Sequence, residues 1–248
     1  MQTNRRIAVV AGVLFIIATV GSLASTALLS PILKAPDYLT QVAAHKDQVL
    51  LGALFQFIAA LGCPAIAMAL YPVLRRHNEG LALGSVGFRV IEGVFYVLIV
   101  VCLLLLVTLS QEAVNAGAQA SSAFQVPGIL LMAARDWLGP VVAVLTFGIG
   151  AVMYYWVFYR ARLVPRWLSA WGLVAATLVT VSGLLVMLGF AAPLGTTQVV
   201  LAAPIGVQEM VLAVWLIARG FNPTTIAAEP AGGTPAWRAT ASSTATAS

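Results

Sequence analysis

The strongest constraint on this chain is a series of apolar runs that are long enough to cross a lipid bilayer. Residues 7–33, for example, contain no charged side chain. A helix needs about 20 apolar residues to span the hydrocarbon core of a bilayer. Only 8% of all residues are charged, whereas a soluble domain carries about 25% because its surface faces water. The sequence therefore predicts an integral membrane protein whose outer surface faces lipid.

The apolar runs predict an all-α fold, a polytopic bundle of six transmembrane helices. The first run is longer than the roughly 7–15 apolar residues of a signal-peptide core, so it is expected to be retained as the first helix. The predicted spans are Ile7–Leu29, Val49–Leu74, Leu81–Leu109, Leu138–Tyr159, Leu168–Phe190 and Val199–Ala218.

The distribution of basic residues predicts that both the N and C termini are cytoplasmic. Cytoplasmic loops carry an excess of Lys and Arg, and with six spans the outer loops hold only Lys34 and Lys46. Seven spans would put the arginines at 160–166 on the same side as Lys34, which disfavours that alternative. Because the basic residues form short clusters between apolar runs, the expected partner is the lipid bilayer and not a nucleic acid. The predicted inner residues are Arg5, Arg6, Arg75, Arg76, Arg160, Arg162, Arg166 and Arg219.

Aromatic residues cluster at one of these inner boundaries. The segment YYWVFYR (154–160) is followed by Trp167 and Trp171. Amphipathic rings favour the headgroup region of a membrane. The cluster is therefore interpreted as an interfacial aromatic belt.

Three segments outside the spans carry separate predictions. Residues 35–47 are expected to form a short helix on the outer surface, with Pro36 suited to its first turn. Residues 121–137 are apolar but too short to cross alone. They form an extra outer interfacial or re-entrant helix, or else they extend the fourth span.

The helix bundle is assigned to residues 1–221, and residues 222–248, rich in Ala, Thr and Ser, are expected to be a disordered cytoplasmic tail.

Charged and amide side chains interrupt the apolar runs, most clearly in GFRVIEGV (87–94), AARDWLGP (133–140) and VQEMVLAVW (207–215). At 1.5 Å per residue, Glu92 and Glu209 lie about 16 Å and 15 Å deep, close to the midplane. Each such charge costs about 2.5–3.5 kcal/mol on insertion scales, so these groups are expected to face one another or a watery cavity. The candidate ligand-binding residues are Gln56, Arg89, Glu92, Arg135, Asp136, Gln208 and Glu209.

The spacing of these charges predicts how they pair. Arg89 and Glu92 are three residues apart and therefore neighbours on one helix face. Arg135 and Asp136 are adjacent and point about 100° apart, so at least one of them is expected to need a partner elsewhere. Two cations face three carboxylates, which leaves one carboxylate unpaired. Glu209 is the candidate, and a buried carboxyl without a cation is expected to hold a proton or to bind a cation.

Prolines lie close to the polar residues in three spans, at Pro64, Pro140 and Pro204. Each one removes the donor for the carbonyl four residues earlier. Unwound backbone at membrane depth is tolerated against protein or a watery cavity, which favours a shared polar cavity. The alternatives are ordinary helix kinks at the prolines and an inert ion-pair lattice that only fixes packing.

Metal and cofactor chemistry is not expected. His45 and His77 fall on opposite sides of the predicted membrane, and the sequence has no HExxH motif or cysteine cluster, which a zinc site would need. Cys63 and Cys102 lie within apolar runs and are interpreted as small buried residues. A buried carboxyl could act as a general acid on a lipid, but no nucleophile or metal supports this, so an enzyme is disfavoured.

Several motifs together resemble a known family. They are RIAVVAGVLFIIATV, LYPVLRRHNEGLALG, FRVIEGV, ARDW, RLVPRWLSAWGL and QEMVLAVWLIARGFNP, and they resemble a bacterial membrane family described as domain of unknown function 4386. The resemblance extends over roughly residues 5–226. It implies a multi-pass protein of the bacterial plasma membrane and implies no activity.

The buried charges lead to two functional hypotheses. In the first, a polar cavity near the midplane opens outward and binds or carries a small polar or amphiphilic ligand, with Glu209 as the group that would couple transport to protons. In the second, the protein is a structural or accessory membrane component whose ion pairs fix helix packing or hold a partner. The sequence does not predict the ligand or the oligomeric state.

Overall fold

The computed structural model describes residues 2–117 and 121–222. These residues form helices and no strands, and six of the helices are long and apolar enough to cross a membrane. The prediction of a six-span helix bundle is therefore confirmed. The elements are α1 (Gln2–Leu33), α2 (Tyr38–Ala44), α3 (Lys46–Leu74), α4 (Glu79–Asn115), α5 (Ser121–Trp137), a π-helical turn (Leu138–Ala143), α6 (Val144–Ala161), α7 (Arg166–Met187) and α8 (Thr196–Ala218).

The long helices form a closed ring. In this ring α1 packs against α3 and α8, α3 against α4, α4 against α6, and α7 between α6 and α8. The Arg5 guanidinium closes the ring by donating to the carbonyls of Leu216 at 3.0 Å and Ile217 at 2.5 Å. These carbonyls lie in the last turn of α8, where an α-helix runs out of its own N–H donors, and that of Leu216 also accepts from the Gly220 N–H at 3.1 Å. The start of α1 and the end of α8 therefore lie at one end of the bundle, called the basic end here because the eight arginines predicted to be inner residues lie in the helix ends and short connections on this side.

The aromatic residues near the basic end divide into two groups. Trp156 and Trp167 are 47% and 54% exposed, as expected for rings at a membrane interface. Tyr154, Tyr155 and Phe158 are almost completely buried and pack against one another inside the ring. The interpretation of the whole segment as an interfacial belt was therefore wrong, since three of its rings fill the interior.

Residues 121–137 are helical as predicted and belong to the fourth span. They form α5, which continues through the π-helical turn into α6, so that one apolar helix runs over Ala123–Ala161. Of the alternatives left open by the sequence, the extension of the fourth span is the one observed. Pro140 lies inside the π-helical turn and offers no N–H to the carbonyl four residues before it. At the end of the π-helical turn, the Val144 N–H donates to the carbonyl of Gly139, five residues earlier in the chain.

Helices α3 and α8 remain α-helical at Pro64 and Pro204, so the backbone is not unwound at either of these two prolines. Pro64 still affects packing, because it leaves the Ala60 carbonyl without its usual donor. Helix α4 meets this carbonyl at Gly93, where an added Cβ would lie 2.8 Å from the Ala60 oxygen and 3.1 Å from the Pro64 ring. The absence of a side chain at Gly93 therefore sets how closely α3 and α4 approach.

Two predictions concern the segments between and beyond the spans. The short helix expected within residues 35–47 is confirmed as α2. Of the predicted tail, only Asn222 falls among the described residues, so the disorder expected there stays a prediction.

We predict that Gly93→Ala destabilises the protein by about 1–3 kcal/mol, the usual penalty for overpacking an interior. The added methyl group would collide with backbone, which cannot move away as a flexible side chain can. Gly87→Ala is the matched control in the same helix, because an added Cβ there meets no atom within 4 Å. Thermal unfolding in detergent should show a lower midpoint for Gly93→Ala alone. Equal midpoints for the two variants would contradict this account of the α3–α4 contact.

Candidate functional site

A cavity of about 270 Å³ lies inside the ring, and all six long helices contribute to its wall. We call it the central cavity. Its wall is largely apolar, but it includes three charged side chains. The lining residues are Phe15, Ala18, Thr19, Ser22 and Leu23 of α1, Ala59, Cys63 and Ile66 of α3, Arg89, Glu92 and Tyr96 of α4, Val144 and Phe147 of α6, Val179 of α7, and Ala202, Ile205, Gly206 and Glu209 of α8.

The central cavity extends from the level of the charged residues toward the end of the bundle opposite the basic end. Its α1 residues follow Phe15 toward the end of that helix, and its α8 residues precede Glu209. Leu23 is its one exposed lining residue, at 65%. Beside Gly206, an added Cβ would meet nothing within 4 Å. The cavity is therefore accessible near α1 and α8 in this half of the bundle, and the buried tyrosines separate it from the basic end.

Arg89 is 3% exposed and has partners from three helices. Its Nη1 lies 2.9 Å from Oε2 of Glu92, one turn along α4. Its Nε donates to the Cys63 carbonyl of α3 at 3.4 Å. The guanidinium carbon lies 4.9 Å from the centroid of the Phe147 ring of α6, within the range of a cation–π interaction. The predicted Arg89–Glu92 pair is confirmed, and it connects three neighbouring helices.

Glu92 has a second partner on α3. Its Oε1 accepts a hydrogen bond from the Cys63 thiol at 3.4 Å, and the carboxylate is 2% exposed. One residue of α3, Cys63, therefore contacts both members of the ion pair: its backbone carbonyl accepts from Arg89 and its thiol donates to Glu92. The charge of Glu92 is balanced locally by Arg89.

Glu209 has a different environment. Its Oε1 accepts a hydrogen bond from the Tyr154 hydroxyl of α6 at 3.3 Å. Among the residues that the structure describes, no Lys, Arg or His nitrogen lies within ion-pair distance of it. The side chain is half-buried and lines the central cavity. Within the described residues, the expectation that Glu209 is the carboxylate without a cation is confirmed.

Gln208, a predicted hydrogen-bonding group of the site, lies outside the cavity lining. It is completely buried, and its Oε1 accepts a hydrogen bond from the Tyr155 hydroxyl. Its Nε2 donates to the Leu168 carbonyl of α7 at 3.1 Å. Because consecutive helix residues point about 100° apart, Gln208 turns toward α7 when Glu209 faces the cavity. Its amide joins helices and is not part of the cavity wall.

Three further candidates are also separate from the central cavity. Arg135 and Asp136 form an ion pair with each other at 3.0 Å, so neither needs the distant partner that their angular separation suggested. Gly150, on the same continuous helix, also packs beside Arg89, and 15 residues of rise put Arg135 about 22 Å farther along the axis. Gln56 is 8% exposed and is absent from the cavity wall. Of the seven candidate residues, the structure brings Arg89, Glu92 and Glu209 together in the wall of the central cavity.

The structure adds residues that the sequence analysis missed. Cys63, Phe147 and Tyr154 each contact a charged member of the cavity. Cys63 was taken as a small buried residue and Tyr154 as part of the interfacial belt. The available signal for Tyr154 was its place nearly two helical turns before the first arginine of the basic cluster, Arg160, which permits either an interfacial or a buried position.

Gln198 is another residue that the sequence analysis missed. It is 4% exposed, and its Nε2 donates to the Pro140 carbonyl at 2.6 Å while its Oε1 accepts from the Leu194 N–H at 2.7 Å. In an α-helix the Val144 N–H would bind the Pro140 carbonyl, but in the π-helical turn it binds Gly139. Gln198 therefore satisfies the carbonyl that the irregular turn releases, and so connects α8 to the fourth span.

The donor set of the central cavity suits small polar groups better than metals. Among the described residues, no group of three or more His, Cys, Asp and Glu side chains is close enough to hold a metal ion. The cavity instead presents one balanced ion pair and one hydrogen-bonded carboxyl. Such a set can accept a hydrogen bond or a positive charge, and it can exchange a proton.

Comparison with known proteins identified one family. The family described as "Domain of unknown function (DUF4386)" matches residues 10–220. Neither the curated proteins nor the solved structures gave a match.

We predict that Arg89→Met destabilises the protein by about 3–5 kcal/mol, because it leaves the buried Glu92 carboxylate unpaired. The double variant Arg89→Met/Glu92→Met should recover part of this loss, since it removes both charges. Arg135→Met is the matched control. Its partner Asp136 is 36% exposed, so the loss should be about 1 kcal/mol or less. Thermal unfolding in detergent measures all three, and a double variant no more stable than Arg89→Met would contradict the assignment of the pair.

Proposed function

The chain belongs to the family described as "Domain of unknown function (DUF4386)", so its activity has to be inferred from its own cavity, and we propose that it binds a small polar or amphiphilic ligand there. It is a membrane-spanning helical protein. In this proposal it acts as a binding or carrier protein of the bacterial plasma membrane, with the basic end in the cytoplasm and the central cavity opening outward.

The observation that carries the proposal is that Glu209 faces open space and not a packed neighbour. Protein interiors are normally close-packed, with few voids larger than a water molecule. The central cavity, at about 270 Å³, is many times larger than the space that one water molecule needs. Charges that served only to fix helix packing would not need this space beside them. The space supports an occupant that interacts with the carboxyl.

The wall of the cavity suggests the chemistry of the ligand. Glu92 is paired with Arg89, so Glu209 is the carboxyl left to receive a positive charge or a hydrogen-bond donor. Apolar side chains such as Ile66, Val179 and Ile205 make up much of the remaining wall. A small molecule with one amine-like or donor end and one apolar part fits this arrangement. Ligand sites commonly combine apolar walls with a few placed polar groups.

Proton exchange at Glu209 would couple the transport of a ligand to the movement of a proton. A protonated carboxyl is neutral and needs no cation, whereas the ionised form needs a cation or several donors when it is buried. The Tyr154 hydroxyl supplies one donor at 3.3 Å. Binding of a cationic ligand would supply the missing charge and release the proton toward the open half of the cavity.

The second candidate function is a structural or accessory component of the membrane, and the contacts of Arg89 and Gln208 favour it. Each of these side chains is buried and joins helices through satisfied polar contacts. Such networks can specify helix register. In that case neither the Arg89–Glu92 pair nor the Glu209 carboxyl would have to be available to a ligand.

We predict that Glu209→Gln lowers ligand occupancy of the central cavity by about 10- to 100-fold, as expected for the loss of one charge-assisted hydrogen bond. The fold should be retained, because the Tyr154 hydroxyl can still donate to the amide oxygen. Native mass spectrometry of the detergent-purified full chain would compare wild type with Glu209→Gln for a bound species. Glu112→Gln, an exposed residue at the far end of α4, is the control with the same charge change.

The three spectra distinguish the two functions. A bound mass in wild type and Glu112→Gln that is missing from Glu209→Gln would support the ligand site and indicate the ligand by its mass. A bound mass that persists in Glu209→Gln would contradict the role of this carboxyl. Three spectra without any bound mass, from proteins with equal thermal midpoints, would favour the structural component.

A further inference from the structure

A second concavity, of about 450 Å³, lies at the basic end, far from the central cavity. It forms where the connection between α6 and α7 meets the residues that follow α8. Three exposed arginines lie around it, namely Arg162, Arg166 and Arg219. No carboxylate of residues 4–117 or 123–222 lies within ion-pair distance of these three side chains. We call this site the arginine concavity.

The backbone beneath these arginines is fixed by buried contacts. The Asn222 N–H donates to the Leu163 carbonyl at 2.8 Å and joins the two segments directly. Leu163 is completely buried, and Phe221 is 7% exposed. The Phe221 ring lies 6.2 Å from that of Phe158 in the interior. The three guanidinium groups therefore extend from a rigid base, which favours a formed site over a set of mobile surface charges.

Arg162 has a backbone conformation that costs an arginine more free energy than it would cost a glycine. Its φ of 52° and ψ of 36° are left-handed, and this conformation at a helix end usually selects glycine. The end of α8 follows the usual pattern, with Gly220 at φ 73°. The chain therefore has an arginine where backbone energetics favour glycine. This choice is explained if the side chain at position 162 has a function at the concavity.

The other two arginines are also not needed for the usual structural tasks of this end. Arg5 already binds the carbonyls at the end of α8, so Arg219 is free of that capping task. The Arg166 guanidinium carbon lies 5.6 Å from the Tyr159 ring centroid, a contact with the ring face that orients the side chain and does not itself use the five N–H donors of the guanidinium. Three guanidinium groups around one concavity match an anion, and their planar donors match the oxygens of a phosphate.

Neighbouring aromatic residues indicate the level of the site in the membrane. Trp167 and Trp171 stack with ring centroids 6.5 Å apart in the first turns of α7, and Trp167 is 54% exposed. Trp215 lines the concavity itself. Tryptophan favours the headgroup layer of a bilayer, so the arginines lie where the phosphates of phospholipids are found.

We propose that the arginine concavity binds the headgroup phosphate of an anionic phospholipid from the leaflet at the basic end. Basic pockets between membrane helices are suited to such headgroups. The arginines supply the charge and the donors, and Trp215 provides an apolar surface beside the glycerol and upper acyl region. The site is independent of the ligand of the central cavity, and it would anchor the α6–α7 connection and the end of α8 to the same lipid.

The test uses native mass spectrometry of the purified full chain with an equimolar mixture of dioleoyl phosphatidylglycerol and dioleoyl phosphatidylcholine. The triple variant Arg162→Gly/Arg166→Gln/Arg219→Gln removes the site while keeping a residue that tolerates the left-handed turn. The control, Arg6→Gln/Arg75→Gln/Arg160→Gln, removes the same charge from the basic end outside the concavity. A third arm adds excess inorganic phosphate to the wild-type protein.

Wild type is expected to retain phosphatidylglycerol in preference to phosphatidylcholine. Each interfacial cation contributes about fivefold to the affinity for an anionic lipid, so the site variant should bind on the order of 100-fold more weakly. The control variant should lose much less. Single variants Arg166→Gln and Arg219→Gln, with unchanged thermal midpoints, should each show about a fivefold loss and so test the site if the triple variant does not fold.

Three results would overturn the proposal. Equal losses in the two triple variants would indicate diffuse surface charge and no formed site. Equal retention of the two lipids by wild type would remove the requirement for an anionic headgroup. Displacement of the lipid by inorganic phosphate would show that the concavity takes the free anion and not the lipid.

Discussion

Every polar group between the two ends of this bundle has to find its partner inside the protein, because hydrocarbon offers none. Arg89 shows how strongly this requirement shapes the fold. Its charge is met by Glu92 of the same helix, by the Cys63 carbonyl of α3 and by the Phe147 ring of α6. These contacts need α3 and α6 on opposite sides of α4, which is the order found in the ring. One buried guanidinium thus fixes the arrangement of three spans.

The same requirement closes the other half of the ring through two tyrosines. Helices α6 and α8 are separated by α7, yet Tyr154 donates to Glu209, and Tyr155 donates to Gln208. Two adjacent residues of one helix are therefore matched with two adjacent residues of another. The Tyr155 pair is completed by the Leu168 carbonyl of α7 and is fully buried. The Tyr154 pair borders open space, and this difference separates a structural contact from a candidate binding group.

Particular residues show which parts of the site could be predicted from the sequence. The Arg89–Glu92 pair follows from a spacing of three on one helix, and the unpaired state of Glu209 follows from counting charges and locating them by depth. The position of Asp136 outside the cavity wall could not be predicted, because the helix of the fourth span begins about 15 residues before the predicted start. Tyr154 was missed because an aromatic residue near a helix end suits either the interface or the interior. Helical periodicity alone does not choose between them, since a lipid-facing helix is apolar on every side.

The sequence by itself determined the all-helical architecture, the six spans and the clustering of arginines at one end, because each depends on the transfer of single segments between water and lipid. Only the tertiary structure decided which polar side chains share a space. That choice depends on the rotation of each helix about its axis and on close approaches such as Gly93 against the Ala60 carbonyl. These quantities arise from contacts between helices and are not contained in the hydropathy of any one of them. That Arg89, Glu92 and Glu209, of the seven candidates, share the central cavity is therefore a result of helix packing.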